Sequence, residues 1–241
     1  MKIEIRNRFS HEIVLSGEGE SLRRYLARAR ASVQDLCGAD LPAANLVGID
    51  LAGIDLSGAN LSGANLTMAD LSNAYLVGCN LTKANLAYAK LTGADLTDAN
   101  LTGADLTMAV LEGATVVNAD MYWAVLTGAR LKLADLSQVN LAKSNLTMAD
   151  MSEADFFWAD LGGANLTMAN LARATLTVSN LSKASLTMAD LSGATLAGAD
   201  LSWADLSEAN LTGADITETI LTGANLVGAK LLGLDLAKAK K

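Results

Sequence analysis

Residues 141–170 read LAKSNLTMADMSEADFFWADLGGANLTMAN. A large apolar residue stands at every fifth place (Leu141, Leu146, Met151, Phe156, Leu161, Leu166), and the residue two places before it is small, usually Ala. Followed outward in both directions, this register runs from Leu36 to Leu236 without an insertion or deletion. Only Val116, Met121, Met151, Phe156 and Ile216 replace Leu at the centre of a unit. A self-similarity this strict governs the reading of every other motif in the chain.

A period of five excludes the two ordinary sources of apolar periodicity. On an α-helix five residues advance about 500°, so successive leucines drift by about 140° and form no stripe. On a flat strand the faces alternate with period two, and an odd repeat throws alternate leucines to opposite sides. What remains is a chain that turns a corner every five residues and points each Leu, with the Ala before it, at one axis. Four corners close a square coil of about twenty residues, and coils stack at the strand spacing of about 4.8 Å.

The units Ala-Asn-Leu-Thr-Gly, Ala-Asp-Leu-Ser-Gly and Ala-Asp-Leu-Thr-Met resemble the A(D/N)LXX units of pentapeptide-repeat proteins, over about residues 35–238. The resemblance implies an all-β fold, a right-handed quadrilateral β-helix of about ten coils, hence a rod about 48 Å long at that spacing. It places the central Leu and the preceding Ala inward and the other three positions outward. Each buried Leu contributes on the order of 2 kcal/mol, and hydrogen bonds between coils satisfy the main chain. Three segments are expected: 1–34, an N-terminal β-hairpin and helix cap; 35–238, the β-helix; 239–241, a basic tail.

Apolar residues make up 51 % of the chain and mean hydropathy is +0.28, yet no apolar run reaches the roughly eighteen residues of a membrane span. The amino terminus alternates polar and apolar residues and lacks the apolar core of a signal peptide. A bacterial cytoplasm, or the host cytoplasm for a phage-encoded chain, is the expected location. The opening Lys-Ile-Glu-Ile-Arg-Asn-Arg-Phe resembles, over a short stretch, the start of phage and prophage members of the same family. Cys37 and Cys79, the only cysteines, fall about two coils apart and outside disulfide reach. With His11 the only histidine, no catalytic triad, zinc site or Cys–His pair can be assembled. The chain is therefore read as a non-enzyme without catalytic residues, metal or cofactor.

The first 34 residues form a different module. Ile3 and Ile5 alternate with charged residues, Asn7 to His11 reads as a turn, and Ile13 to Leu15 as a returning strand. From Ser21 to about Val33, Leu22, Tyr25, Leu26, Ala29 and Val33 fall at helical spacing, with Arg23, Arg24, Arg28 and Arg30 mostly off that stripe. Ser21 is the expected N-cap, with Glu18 and Glu20 where the helix dipole favours acids. A solenoid end exposes strand edges and core, so this module is expected to cap it; its arginines binding an acidic partner is the alternative. At the far end Leu231, Leu232, Leu234 and Leu236 lead into Ala-Lys-Ala-Lys-Lys, which leaves that end either thinly capped or an assembly surface.

Numbering modulo twenty sorts the exterior into four walls, and they differ. The wall centred on Leu46, Leu66 and onward to Leu226 carries Met68, Tyr88, Met108, Met148, Met168 and Met188 in one column, between near-neutral Asn and Thr positions. Such a strip marks an interface, most simply with a second copy of itself, or else methionine merely covers a turn left by duplication. The wall centred on Leu36 through Leu236 carries Asp35, Asp55, Asp95, Asp98, Asp135, Asp155, Asp215, Glu218 and Asp235 against Lys238 alone, which equals the whole-chain net charge of −8. Two readings are open: solubility of a very apolar rod, or the DNA mimicry by which some pentapeptide-repeat proteins occupy the DNA site of type II topoisomerases such as gyrase. Direct binding of nucleic acid is disfavoured on an acidic body.

Outward aromatics interrupt the walls: Tyr122 and Trp123, Phe157 and Trp158, and Trp203. They are candidate anchors for a protein partner, or excursions on a tolerant surface. The sequence thus predicts a rod-like binding or scaffolding protein, expected to be a homodimer. Charge mimicry toward a DNA-acting enzyme is the first alternative and a phage structural or host-interaction role the second.

Overall fold

Every unit makes the same backbone move. The central Leu carbonyl accepts from the N–H three residues on, as in Leu36 with Ala39 (2.9 Å) and Leu146 with Ala149 (3.0 Å). The second residue inside that turn has positive φ at each corner from Gly38 (φ 66) to Gly233 (φ 84), the mark of a type II turn. The residue before the Leu then pairs in parallel with its counterpart twenty residues on, unit after unit from Asp35 with Asp55 to Asn210 with Lys230, and again at Ile220 with Lys240. Leu36 N–H donates to the Asp55 carbonyl (2.7 Å) and Asn60 N–H to that of Ala39 (2.8 Å), and this double ladder continues along the rod. The structure, a computed structural model, describes residues 2–29 and 35–240.

The preference for Asp or Asn at the bridging place has a local cause. Its Oδ1 accepts from the N–H two residues on, at the corner, as in Asp55 with Ser57 (2.8 Å) and Asn165 with Thr167 (3.1 Å). Where Asn follows Asp one coil later, its Nδ2 also donates back to that carboxylate: Asn140 to Asp120 (2.9 Å), Asn170 to Asp150 (2.9 Å) and Asn180 to Asp160 (2.8 Å).

Inside, the Leu and Ala columns form one continuous core in a right-handed quadrilateral β-helix. Val116, Met121, Met151 and Phe156 are as buried as the leucines they replace. Ser144 and Ser179 occupy Ala places and donate to the carbonyls of Leu141 (2.6 Å) and Leu176 (2.7 Å), so neither buried hydroxyl is orphaned.

The amino-terminal module is a hairpin of β1 (Lys2–Arg6) and antiparallel β2 (Ile13–Glu18), followed by α1 (Leu22–Ala29). The helix is shorter than the expected span to Val33; Arg30 and Val33 lie outside the described residues. Ser21 Oγ accepts from Arg24 N–H (3.3 Å), the bond of an N-cap, and Glu20 pairs with Arg24. Ile3, Ile5 and Leu26 join the core. The module is tied to the first coil through Arg8 N–H to the Gly38 carbonyl (2.7 Å) and Asp40 N–H to that of Arg6 (2.8 Å). Asn7 lies so close over Gly38 that a Cβ there would sit 2.3 Å from its Nδ2, so a side chain at this corner would displace Asn7, and glycine also avoids the cost of the positive φ.

Toward the other end Leu221, Leu226 and Leu231 are only partly buried and Leu236 is exposed. A short 3-10 turn, Leu236–Lys238, is capped by Asp235, which accepts from Ala237 N–H. Lys240 keeps the coil register through its N–H to the Thr219 carbonyl (2.8 Å).

Candidate interaction surface

In most units the second corner residue is the more exposed of the two. Among the described non-glycine residues with positive φ, all but His11 stand there. The left-handed conformation costs an L-residue about 1 kcal/mol or more, which glycine avoids. A side chain kept at this place is held out from the rod against the backbone's preference.

Met68, Tyr88, Met108, Met148, Met168 and Met188 all occupy this place on one corner, with φ between 57° and 60°. They are exposed, from 45 % at Met168 to 62 % at Met68. The Met108 thioether leans one coil forward over Gly128, where a Cβ would lie 2.5 Å from its Sδ, and so covers the gap that Gly128 leaves in the column. On one side lies the expected neutral wall, where Thr67, Thr147 and Thr167 hydroxyls donate to Asn65, Asn145 and Asn165 (2.6–2.7 Å). The other side is different from the sequence reading. Because the turn puts the last two residues of each unit at an edge, the column borders the next wall, which carries Asp70, Lys90, Arg130, Asp150 and Asp190. Met188, Asp190, Glu208 and Lys230 line one shallow recess on this side.

The opposite edge of the neutral wall is the corner that carries Lys83, Trp123, Lys143, Lys183 and Trp203. Tyr122 and Trp123 stack with centroids 5.8 Å apart, and Lys143 Nζ stands 5.9 Å over the Tyr122 ring. Trp203 folds over Gly223, where a Cβ would meet its ring at 2.7 Å. One neutral wall is thus framed by a methionine corner and a tryptophan–lysine corner. Sequence reasoning sorted these residues into separate walls and missed the frame, although the shared five-residue offset contained it. Phe157 and Trp158 (6.1 Å between centroids) sit elsewhere, on the corner that follows the acidic wall, exposed beside the buried Phe156.

The acidic wall consists largely of turn acceptors. Asp35, Asp55, Asp95, Asp135, Asp155, Asp215 and Asp235 each accept at Oδ1 from the N–H two residues on, at 2.8–3.1 Å. Only Asp98 and Glu218 occupy the projecting corner place. Asp98 accepts from Asn118 Nδ2 (2.6 Å) and Glu218 pairs with Lys240 Nζ (2.9 Å). Hydrogen bonds from the Thr217 hydroxyl and N–H hold the Asp215 carboxyl below its ordinary range, and Ser207 does the same for Asp205 on the neutral wall. Tyr75, Phe157, Trp158 and Val178 break the run of charge.

The two thiols differ. Cys37 is exposed, while burial pushes Cys79 up to about 12. Among the described residues no group of His, Cys, Asp and Glu side chains is arranged to hold a metal ion, and no helix is long and apolar enough to cross a membrane.

The family model for pentapeptide repeats (8 copies) matches the chain over six segments, residues 44–82, 79–116, 119–156, 154–193, 184–223 and 196–233. HetL, a pentapeptide repeat protein involved in heterocyst differentiation regulation from the cyanobacterium Nostoc sp. strain PCC 7120, is 34 % identical over 88 % of this chain and 95 % of its own, with a TM-score of 0.49. A trypsin-treated variant of QnrB1, a plasmid-mediated fluoroquinolone resistance protein, is 19 % identical over 82 % of this chain and 87 % of its own, also with a TM-score of 0.49. Another pentapeptide repeat protein of Nostoc PCC 7120, alr5209, is 28 % identical over 58 % of this chain and 81 % of its own, with a TM-score of 0.28. No curated protein matches.

Proposed function

The chain belongs to the pentapeptide repeat family, and on that premise we propose a non-catalytic, rod-like binding protein whose interface is the methionine corner, most simply with the same corner of a second copy. The observation that carries this reading is the order of residues along the column. Met68, Tyr88, Met108, Gly128, Met148, Met168 and Met188 are arranged nearly symmetrically about Gly128. A two-fold axis at that level sets Met108 against Met148, Tyr88 against Met168 and Met68 against Met188, the self-complementarity an isologous dimer needs. Methionine suits such a surface because an unbranched thioether repacks without a fixed shape.

Peroxide footprinting tests the pairing. Oxidation of Met108 and Met148 should slow as protein concentration rises, while the already buried Met121 and Met151 stay protected throughout. Equal oxidation rates along the column at every concentration would reject the interface.

A second reading, charge mimicry toward a DNA-acting enzyme, is supported by the concentration of net charge on one wall. It is tested by competition with DNA for purified gyrase, and absence of binding at micromolar protein would end it.

A further inference from the structure

We propose that Met148, Met168 and Met188 form a thioether site for one soft monovalent metal ion of the copper(I) class. These three are the only methionines of the column on consecutive coils; Met68 and Met108 have Gly48, Tyr88 and Gly128 as column neighbours. Their backbones are equivalent, with φ of 59°, 60° and 59°. The coils are locked in register by Met148 N–H to Thr167 O (3.0 Å) and Met168 N–H to Thr187 O (2.9 Å). Three exposed methionines are therefore rooted on equivalent backbone, about 4.8 Å apart at the strand spacing.

That pitch fits the coordination chemistry. With metal–sulfur bonds of about 2.3 Å, a linear two-coordinate ion needs its sulfurs about 4.6 Å apart, close to one coil. A trigonal set needs its three sulfurs about 4.0 Å apart, so both Met148 and Met188 must lean toward Met168 from roots about 9.6 Å apart. Such a lean is observed in the same column, where the Met108 sulfur has moved one full coil toward Gly128. Thioether sulfur is a soft donor that selects Cu(I) over Zn(II), Mg(II) or Ca(II). The local field favours a cation: Asp190 and Glu208 share the recess beside Met188, opposed by Lys230. The residues that exclude a zinc site, a single His and two separated Cys, place no constraint on this donor class.

The site does not depend on pairing of two chains, and the test separates the two ideas. Cys37→Ser protein labelled with 13C at the methionine methyls is titrated with silver(I) nitrate, a redox-inert stand-in for Cu(I), in chloride-free buffer, and the solution mass is recorded in the same samples. The methyls of Met148, Met168 and Met188 should shift together and saturate at one equivalent, while those of Met68 and Met108 do not. Met168→Leu keeps the apolar surface and removes the central donor, so it should weaken binding about tenfold or more. Zinc(II) should shift none of these signals. Equal response at Met68 and Met168, full affinity in Met168→Leu, or no saturable shift at micromolar silver would each overturn the site.

Discussion

The acidic wall and the methionine corner are built on the same backbone, yet their side chains do opposite work. Seven of the nine acids that give the wall its charge are turn acceptors, each spending one oxygen on a corner N–H. The methionine column stands in left-handed backbone that glycine would occupy with less strain, and its side chains lie exposed. The architecture of the repeat thus explains an oxygen acceptor at those places, although Asn supplies it equally on the neutral wall, whereas it does not explain the persistence of methionine. The column without a structural reason is the better candidate for function.

The largest effect that could break this comparison comes from within one unit. Phe156→Ala should destabilise by about 3–5 kcal/mol, because its ring fills the core. Phe157→Ser with Trp158→Ser should stay within about 0.5 kcal/mol of wild type, as exposed substitutions do. Denaturant midpoints compare the two, and a large loss in the double variant would shift the register by a residue. Next, Asp95→Ala should cost about 1 kcal/mol through loss of its bonds to the Thr97 N–H and hydroxyl, while Asp95→Asn, which keeps the acceptor, should cost much less. If Asn proved as damaging as Ala, charge and not turn geometry would be what the wall supplies.

The carboxylates also predict a pH dependence. Folding lowers the Asp215 pKa through Thr217 and the Asp205 pKa through Ser207. Their contribution is therefore complete above the unfolded value of about 3.9 and is lost as pH falls through the lower folded values. Urea midpoints should be flat from neutral pH to about 5 and fall below about pH 4, with a shallower fall in Asp215→Asn. An unchanged acid limb in that variant would mean that the Thr217 bonds do not lower the Asp215 pKa on folding. The smallest effect is expected at the corner, where Met148→Gly should stabilise the chain by up to about 1 kcal/mol by relieving positive φ. A loss there would show that the thioether packs on the rod after all.

How much of this was legible in the sequence follows from what each residue is constrained by. The core register was readable to the residue, including Phe156 inward and Phe157 outward, because an unbroken count of five permits one set of inward places. The positive φ of the corners was hidden: Gly38 or Gly58 advertises it, but Met148, Trp123 and Lys83 adopt it only because coils above and below fix the turn. For the same reason the wall-by-wall sorting placed Met68 and its neighbours on a face, when the turn sets them on an edge beside charged residues. The carboxylates' turn bonds were missed because composition reports that Asp95 is charged, not that its Oδ1 is already engaged.

The central claim is tested most directly by the mass in solution. Light scattering on the wild-type chain should give twice its 24.9 kDa, falling to one chain in Met108→Lys/Met148→Lys/Met168→Lys, which should remain folded with the same β circular dichroism. A wild-type monomer across the micromolar range, or a dimer indifferent to the three lysines, would contradict the assignment of the methionine corner to self-association.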